Sequence, residues 1–261
     1  MTAPSQAPIS SCLPPLPPGE VHLYFATPEL AGAAEEHGLS PAEQARLAHL
    51  HFEVDRRSMR AAYCLKHVVL NRALGPMGEG WTEVTGPHGK PALAEPWASG
   101  SGVRFNLSHS RTMVMMGVAR DVELGVDLED VDRIRAHDDV AAHFFAPNEC
   151  ADLAASGSAT RFFDYWTLKE AYLKARGEGL LLPLAQVAFA FHDQRIHLVA
   201  LPALEPTPGA WQFALLAPTP ECRAAVAIAR GDRPWLTVRA WFVGPGNHVV
   251  ALTAAQQLLA S

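Results

Sequence analysis

The apolar positions of this chain change their repeat several times, and each change marks an element. From Val21, the run Val-His-Leu-Tyr-Phe alternates like a half-buried strand. Ser40-Pro41-Ala42-Glu43 reads as a helix start, with an N-cap serine, proline in the first turn and glutamate at N3. A longer helix is predicted over about 55–73, where Met59, Tyr63, Leu65, Val69 and Leu70 include several i, i+4 pairs and Gly75-Pro76 supplies the stop. Short strands follow at 81–85, 103–107, 112–119 and 124–129, separated by Gly/Pro turns. The strongest helical pattern spans 159–175 and closes on Gly177 and Gly179. Strands at 186–191, 196–201, 211–216, 224–229 and 235–243 come next, and a short helix is expected over 251–260.

The order helix, strand, strand, strand thus occurs twice. Each round ends alike, in Gly117-Val118-Ala119-Arg120 and in Ala227-Ile228-Ala229-Arg230. The expectation is an α+β protein with a flexible proline-rich tail at 1–20 and two similar halves related by duplication, 21–120 and 121–250. A C-terminal tail or short helix at 251–261 follows. The tail expectation rests on six prolines in its 20 residues, which leave little apolar surface to offset ordering entropy.

Composition narrows the class. A chain of 261 residues with 49% hydrophobic and 18% charged residues is that of a soluble globular protein. Its net charge of −6 argues against a general nucleic-acid binder, which needs a basic face. No apolar run approaches the roughly 18–20 residues of a membrane span. The four scattered cysteines lack zinc spacing and the N-terminus lacks a signal pattern, so a cytoplasmic protein with reduced thiols is expected.

Three clusters carry candidate chemistry. In Gly125-Val126-Asp127-Leu128-Glu129-Asp130, strand alternation projects Asp127 and Glu129 from one face while Val126 and Leu128 enter the core. Adjacent carboxylates repel unless solvated or neutralised, and hard oxygen ligands suit Mg²⁺; an exposed strand edge is the plainer reading. In Trp166-Thr167-Leu168-Lys169-Glu170-Ala171-Tyr172-Leu173-Lys174, residues Trp166, Glu170 and Lys174 form one helical stripe. It offers a metal ligand or base beside a cation for phosphate, or only an exposed ion pair. In Phe105-Asn106-Leu107-Ser108-His109-Ser110, serine and histidine end a strand and could donate to phosphate oxygens, or simply make a polar turn. A serine–histidine nucleophile pair is disfavoured, since no Gly-x-Ser-x-Gly elbow surrounds them. Arg56-Arg57-Ser58 and the Gly86-Pro87-His88-Gly89-Lys90-Pro91 turn add cations that suit phosphate and are also common surface features.

The order of these blocks resembles the 4′-phosphopantetheinyl transferases, in particular the larger, monomeric, surfactin-synthetase-activating kind, over roughly residues 40–240. The resemblance implies two α+β halves about a pseudo-twofold axis, with coenzyme A in the cleft between them. It implies that Asp127, Glu129 and Glu170 surround Mg²⁺, that Lys174 contacts the pyrophosphate, and that Arg57, Lys90, Ser108 and His109 hold the 3′-phosphate, adenine and neighbouring phosphates. Glu170, Lys174 and Asp127 are then the catalytic residues, Glu170 as the base. The implied partner is an apo acyl or peptidyl carrier protein, modified on a serine, with no nucleic-acid or membrane partner. Relatives often carry a lysine pair ahead of the arginine block; here Pro41-Ala42-Glu43-Gln44-Ala45-Arg46 leaves only Arg46. Arg133, Arg135 and Phe144-Phe145 are weak candidates for a carrier-facing patch. A non-catalytic coenzyme A or carrier binder, or a Mg²⁺-dependent nucleotide pyrophosphatase, is the alternative.

Overall fold

A computed structural model describes residues 13–33, 38–78, 80–131, 137–158, 160–178, 182–200, 205, 207–253 and 256–260. Arg133, Arg135, Gly179, residues 1–12 and part of the 202–209 linker lie outside them. Strand β1 (Glu20–Ala26) leads through helix α1 (Pro41–Ala48) to the long helix α2 (Glu53–Leu74). A hairpin of β2 (Glu83–Thr85) and β3 (Pro91–Leu93), the short helix α3 (Trp97–Ser101), and strands β4 (Val103–His109) and β5 (Val114–Arg120) complete the first round. The second round has strand β6 (Glu123–Asp130), helices α4 (His137–Phe144), α5 (Pro147–Ser156) and α6 (Arg161–Arg176), and hairpin β7 (Val187–His192) with β8 (Arg195–Ala200). Strands β9 (Trp211–Leu216) and β10 (Cys222–Ala229) follow, then β11 (Thr237–Val243), β12 (Val249–Ala251) and β13 (Gln257–Ala260).

The larger sheet runs β12-β11-β1-β5-β4 and the smaller β13-β9-β10-β6. Both rounds share one connectivity: an opening strand, a helix, a hairpin, then two strands, the last of which pairs antiparallel with the opening strand. The α+β class expected from the sequence is therefore the one observed. The core has three parts. Val21, Leu23 and Phe25 of β1 meet Leu124, Val126 and Leu128 of β6 between the sheets. Tyr24 and Ala26 of β1 face α2, and the buried side of α6 packs on Phe213, Leu215, Ala225 and Ala227. Strand alternation thus sorts β6 cleanly, with aliphatic residues toward the other sheet and Gly125, Asp127 and Glu129 on the α6 side.

Three expectations need correction. Residues 13–18 of the proline-rich tail are fastened down: Leu13 and Leu16 are buried in the core beside α2. Arg72 Nε donates to the Leu13 carbonyl at 2.8 Å and Arg120 Nε to the Leu16 carbonyl at 3.0 Å. Two leucines and two carbonyl acceptors suffice to order a stretch that composition alone assigns to a loose tail. The stretch 251–260 contains no α-helix among its described residues; β13 lies antiparallel on β9, whose free edge offers unpaired backbone groups. Helices α4 and α5 were not anticipated between β6 and α6, where short apolar groupings hide the period. Strand β11, from the stretch expected to close the second half, pairs in parallel with β1 of the larger sheet. No described helix is long and apolar enough to cross a membrane.

Candidate active site

The edge strands β4 and β6 face each other across the two sheets, and side chains of β4 join them: Asn106 Oδ1 accepts from the Val126 amide at 2.9 Å, and Ser108 reaches Asp127. Behind β6, helix α6 comes unusually near. A methyl group at Gly125 would overlap the Ala171 carbonyl oxygen and the Ala175 amide nitrogen, so only glycine lets the strand lie on the helix backbone. That approach brings Asp127 and Lys174 into contact.

Asp127 is 4% exposed and is the hub of the arrangement. Its Oδ1 takes the Lys174 ammonium at 2.6 Å and the Ser108 hydroxyl at 3.1 Å, and Lys174 also donates to Ser108 Oγ at 3.1 Å. Its Oδ2 is buried without a hydrogen-bond partner. A buried, half-satisfied carboxylate is costly unless something else fills its open side. Glu170, one turn before Lys174, is half-buried. Its affinity for protons is raised, first by burial and then by the Asp127 charge, against the pull of Lys174.

Ser108, His109, Asp127, Glu129, Trp166, Glu170 and Lys174 line one cavity of roughly 650 Å³, with Phe144 and Leu184 on its apolar side. A second cavity, sharing Leu107, Glu170 and Lys174, continues to His88, Gly89 and Lys90 on the β2–β3 turn. The turn needs glycine at 89, where φ is +86°. Lys90 is drawn inward by Glu123 Oε2 and the Leu124 carbonyl, both at 3.0 Å, and by the Ala175 carbonyl at 3.2 Å. Trp166, Glu170 and Lys174 thus do share a face, and that face borders a cavity.

Arg57 is exposed, pairs with Glu29 at 3.3 Å, and lines neither cavity. Its neighbour Ser58 is buried instead and donates to the Ser110 carbonyl at 2.5 Å. Among the described residues, no three His, Cys, Asp or Glu side chains are gathered as a ready-made metal cage. Asp127, Glu129 and Glu170 share the cavity wall, and Lys174 occupies Asp127 Oδ1.

Other residues of the site escaped sequence reasoning. Lys169, beside Glu170 in sequence, points the opposite way and is fully buried: Nζ meets Glu149 Oε2 at 2.7 Å, the Leu184 carbonyl at 2.9 Å, and the Val187 carbonyl. Glu149, equally buried, also accepts from the Ala146 and Phe189 amides. This pair clamps α6 to α5 and β7 and so sets the rotation of the helix that carries Glu170. A lysine next to a glutamate in a helix gives no sign of which one is buried; an otherwise apolar face three and four residues away was the available clue.

The family described as "4'-phosphopantetheinyl transferase superfamily" (ACPS) matches residues 123–229, the segment holding β6 and α6. The chain is 34% identical over 194 residues to 4′-phosphopantetheinyl transferase HetI of Nostoc sp., covering 73% of this chain and 78% of that one. It is 29% identical over 142 residues to 4′-phosphopantetheinyl transferase psf-1 of Bacillus pumilus, covering 53% and 58%. The Thermotoga maritima holo-[acyl-carrier-protein] synthase (AcpS) structure aligns over 43% of this chain and 66% of that one at a TM-score of 0.35 and 17% identity, too weak a likeness to bear on the fold. The matched segment includes the strand–helix pair that lines the cavity, and on the strength of the HetI relationship the chain belongs to the 4′-phosphopantetheinyl transferase superfamily, as an enzyme of that class.

Proposed function

We propose that the protein moves the 4′-phosphopantetheine arm of coenzyme A onto a serine of an apo acyl or peptidyl carrier protein, with Mg²⁺, releasing 3′,5′-ADP. The observation that carries the reading is the meeting of Asp127, Glu129, Glu170 and Lys174 on one cavity wall. The donor set fits a hard divalent cation: all three acids offer oxygen, and the buried Asp127 Oδ2 is left without a partner. Bound there, held by Asp127, Glu129 and Glu170, the ion would supply charge neutralisation for a diphosphate.

The chain's own groups then divide the work. Lys174 sits where negative charge would gather on the departing phosphate, and a fixed ammonium favours that charge without reorganisation. The serine oxygen forms the new bond to the β-phosphorus, the phosphoanhydride bond breaks, and 3′,5′-ADP departs with the electron pair. The serine proton goes to Glu170, which borders the same cavity as Lys174. Lys90, Ser108 and His109 border the stretch of cavity suited to the nucleotide end; Arg57 would join them by exchanging Glu29 for a phosphate. The repeated connectivity supports reading the halves as related by a pseudo-twofold axis, with the ligand between them. The same reading takes the enzyme as a cytoplasmic monomer that needs neither nucleic acid nor membrane.

Mass spectrometry of an apo carrier incubated with enzyme, coenzyme A and Mg²⁺ tests the reaction. A carrier heavier by one phosphopantetheine is expected. Release of the free arm would instead indicate a pyrophosphatase, and an unchanged mixture a binding protein.

A further inference from the structure

We infer that Asp130, the last residue of β6, is a positioning residue that holds Ser108 and His109 in place for the nucleotide end of coenzyme A. The inference rests on the proposed transfer reaction and adds to it a residue outside the metal and phosphate set. The β4–β5 turn carries no catalytic group of its own, yet it is pinned from both rounds of the fold. On one side Ser58 of α2 donates to the Ser110 carbonyl. On the other, Asp130 collects the turn's donors: Ser110 Oγ at 2.7 Å, Thr112 Oγ1 at 2.5 Å and the Arg111 amide at 3.1 Å. Cys222 Sγ of β10 adds a weaker contact at 3.5 Å.

A polar turn at a sheet edge ordinarily bonds to water and moves freely. This one spends three donors on a single carboxylate from the other sheet, and charge-assisted bonds of that kind are the stronger sort. The residues held are immediately next to Ser108 and His109, and Asp130 is three positions from Asp127 on the same strand. The spacing between β4 and the acids is therefore set at three points of one short bridge, by Asn106 to Val126, by Ser108 to Asp127 and by Asp130 to the turn that follows His109. Without Asp130 the turn loses its shared acceptor on β6, and the backbone beside Ser108 and His109 is left to the Ser58 bond and to the direct bonds of Ser108 with Asp127 and Lys174.

The test compares Asp130→Ala, Asp130→Asn and Ser110→Ala/Thr112→Val by steady-state kinetics with coenzyme A and with 3′-dephospho-coenzyme A. Asp130→Ala is expected to raise KM for coenzyme A about tenfold, with kcat and the carrier KM within about threefold, as for a lost binding contact of about 1.4 kcal/mol. Its preference for coenzyme A over the dephospho form should shrink equally, and Asp130→Asn should restore most of both. Combining Asp130→Ala with the turn variant should cost no more than Asp130→Ala alone, since they remove the same bonds. Wild-type KM and preference in Asp130→Ala, additive effects, or a parallel fall of kcat and melting temperature would overturn the assignment. Calorimetric binding of coenzyme A reads the effect without turnover. A wild-type protein that fails to load the carrier would sink the reaction, while a wild-type binding constant in Asp130→Ala would sink this proposal alone.

Discussion

Strands β1 and β6 open the two rounds of the fold in the same way, yet one ends up as core and the other as active-site wall. Strand β1 is flanked on both sides, by β11 in parallel and β5 antiparallel. Its polar residues have been folded into structure: His22, 1% exposed, links Glu20 at 2.7 Å and the Tyr24 hydroxyl at 3.1 Å, and Trp241 of β11 packs against both rings. Burial holds the His22 imidazole below its ordinary value despite the Glu20 carboxylate, and pushes the Tyr24 phenol up. Among the described residues strand β6 pairs with β10 on one edge, so its other edge turns toward β4 and its carboxylates line a cavity. The lesson is that one added strand separates a structural polar trio from a chemical one. The helices behind the strands repeat the contrast. Lys66 of α2 and Lys169 of α6 are both buried on glutamates, Glu43 and Glu83 in one case and Glu149 in the other. Of these two helices, α6 is the one whose acid and second lysine, Glu170 and Lys174, line the cavities.

The largest effect that would sharpen this contrast is catalytic. Glu170→Gln should lower kcat by about a thousandfold with coenzyme A binding retained, a loss in the range expected for a general base. Transfer kinetics beside calorimetry check it, and comparable turnover would remove Glu170 from that role.

Next comes the helix clamp. Glu149→Ala leaves the fully buried Lys169 without its carboxylate and should destabilise the fold by about 3–5 kcal/mol, read as a shift in urea midpoint. Gly125→Ala should cost about 1–3 kcal/mol by overpacking and depress transfer further than that loss explains, since it pushes β6 from α6 and parts Asp127 from Lys174. Unchanged transfer in a folded Gly125→Ala protein would mean that the close approach is dispensable.

A last effect is one of pH, centred on Glu43 of α1. Burial works against the Glu43 carboxylate, but hydrogen bonds from His67 and Lys66 outweigh it and hold its pKa at about 2. A depressed carboxylate contributes stability that is complete above its unfolded pKa and is lost as pH falls toward 2, about 3 kcal/mol in all. Asp164, raised to about 6 by burial against Arg223 and Arg161, acts with the opposite sign: its contribution declines as pH rises from about 4 to 6. Denaturation at pH 7 and pH 3 should therefore show a smaller gap in Glu43→Gln than in wild type, with the Asp164 contribution common to both.

Much of this was legible beforehand where local pattern and chemistry agree. The capping box at Ser40 and Glu43 forms as spaced, with both of its bonds present. Helix α2 covers 53–74 against an expected 55–73, and α6 covers 161–176 against 159–175, because long amphipathic runs with glycine stops leave little choice. Asp127 and Glu129 share a face of β6 as alternation requires. What escaped reading depends on partners distant in sequence. Leu13 and Leu16 are ordered by arginines 59 and 104 residues away. Arg57, whose chemistry suits a phosphate, is paired with Glu29.

The amino-acid order alone determined the elements, their periods and the identity of the acids, since alternation and helical spacing are properties of neighbours. Only the tertiary structure decided which of two similar strands would lie open, which lysine of Lys169 and Lys174 would face the cavity, and that Asp130 would hold a turn from the other sheet. Those outcomes rest on contacts between segments tens of residues apart, where a single missing Cβ or one extra paired strand changes what a side chain can reach.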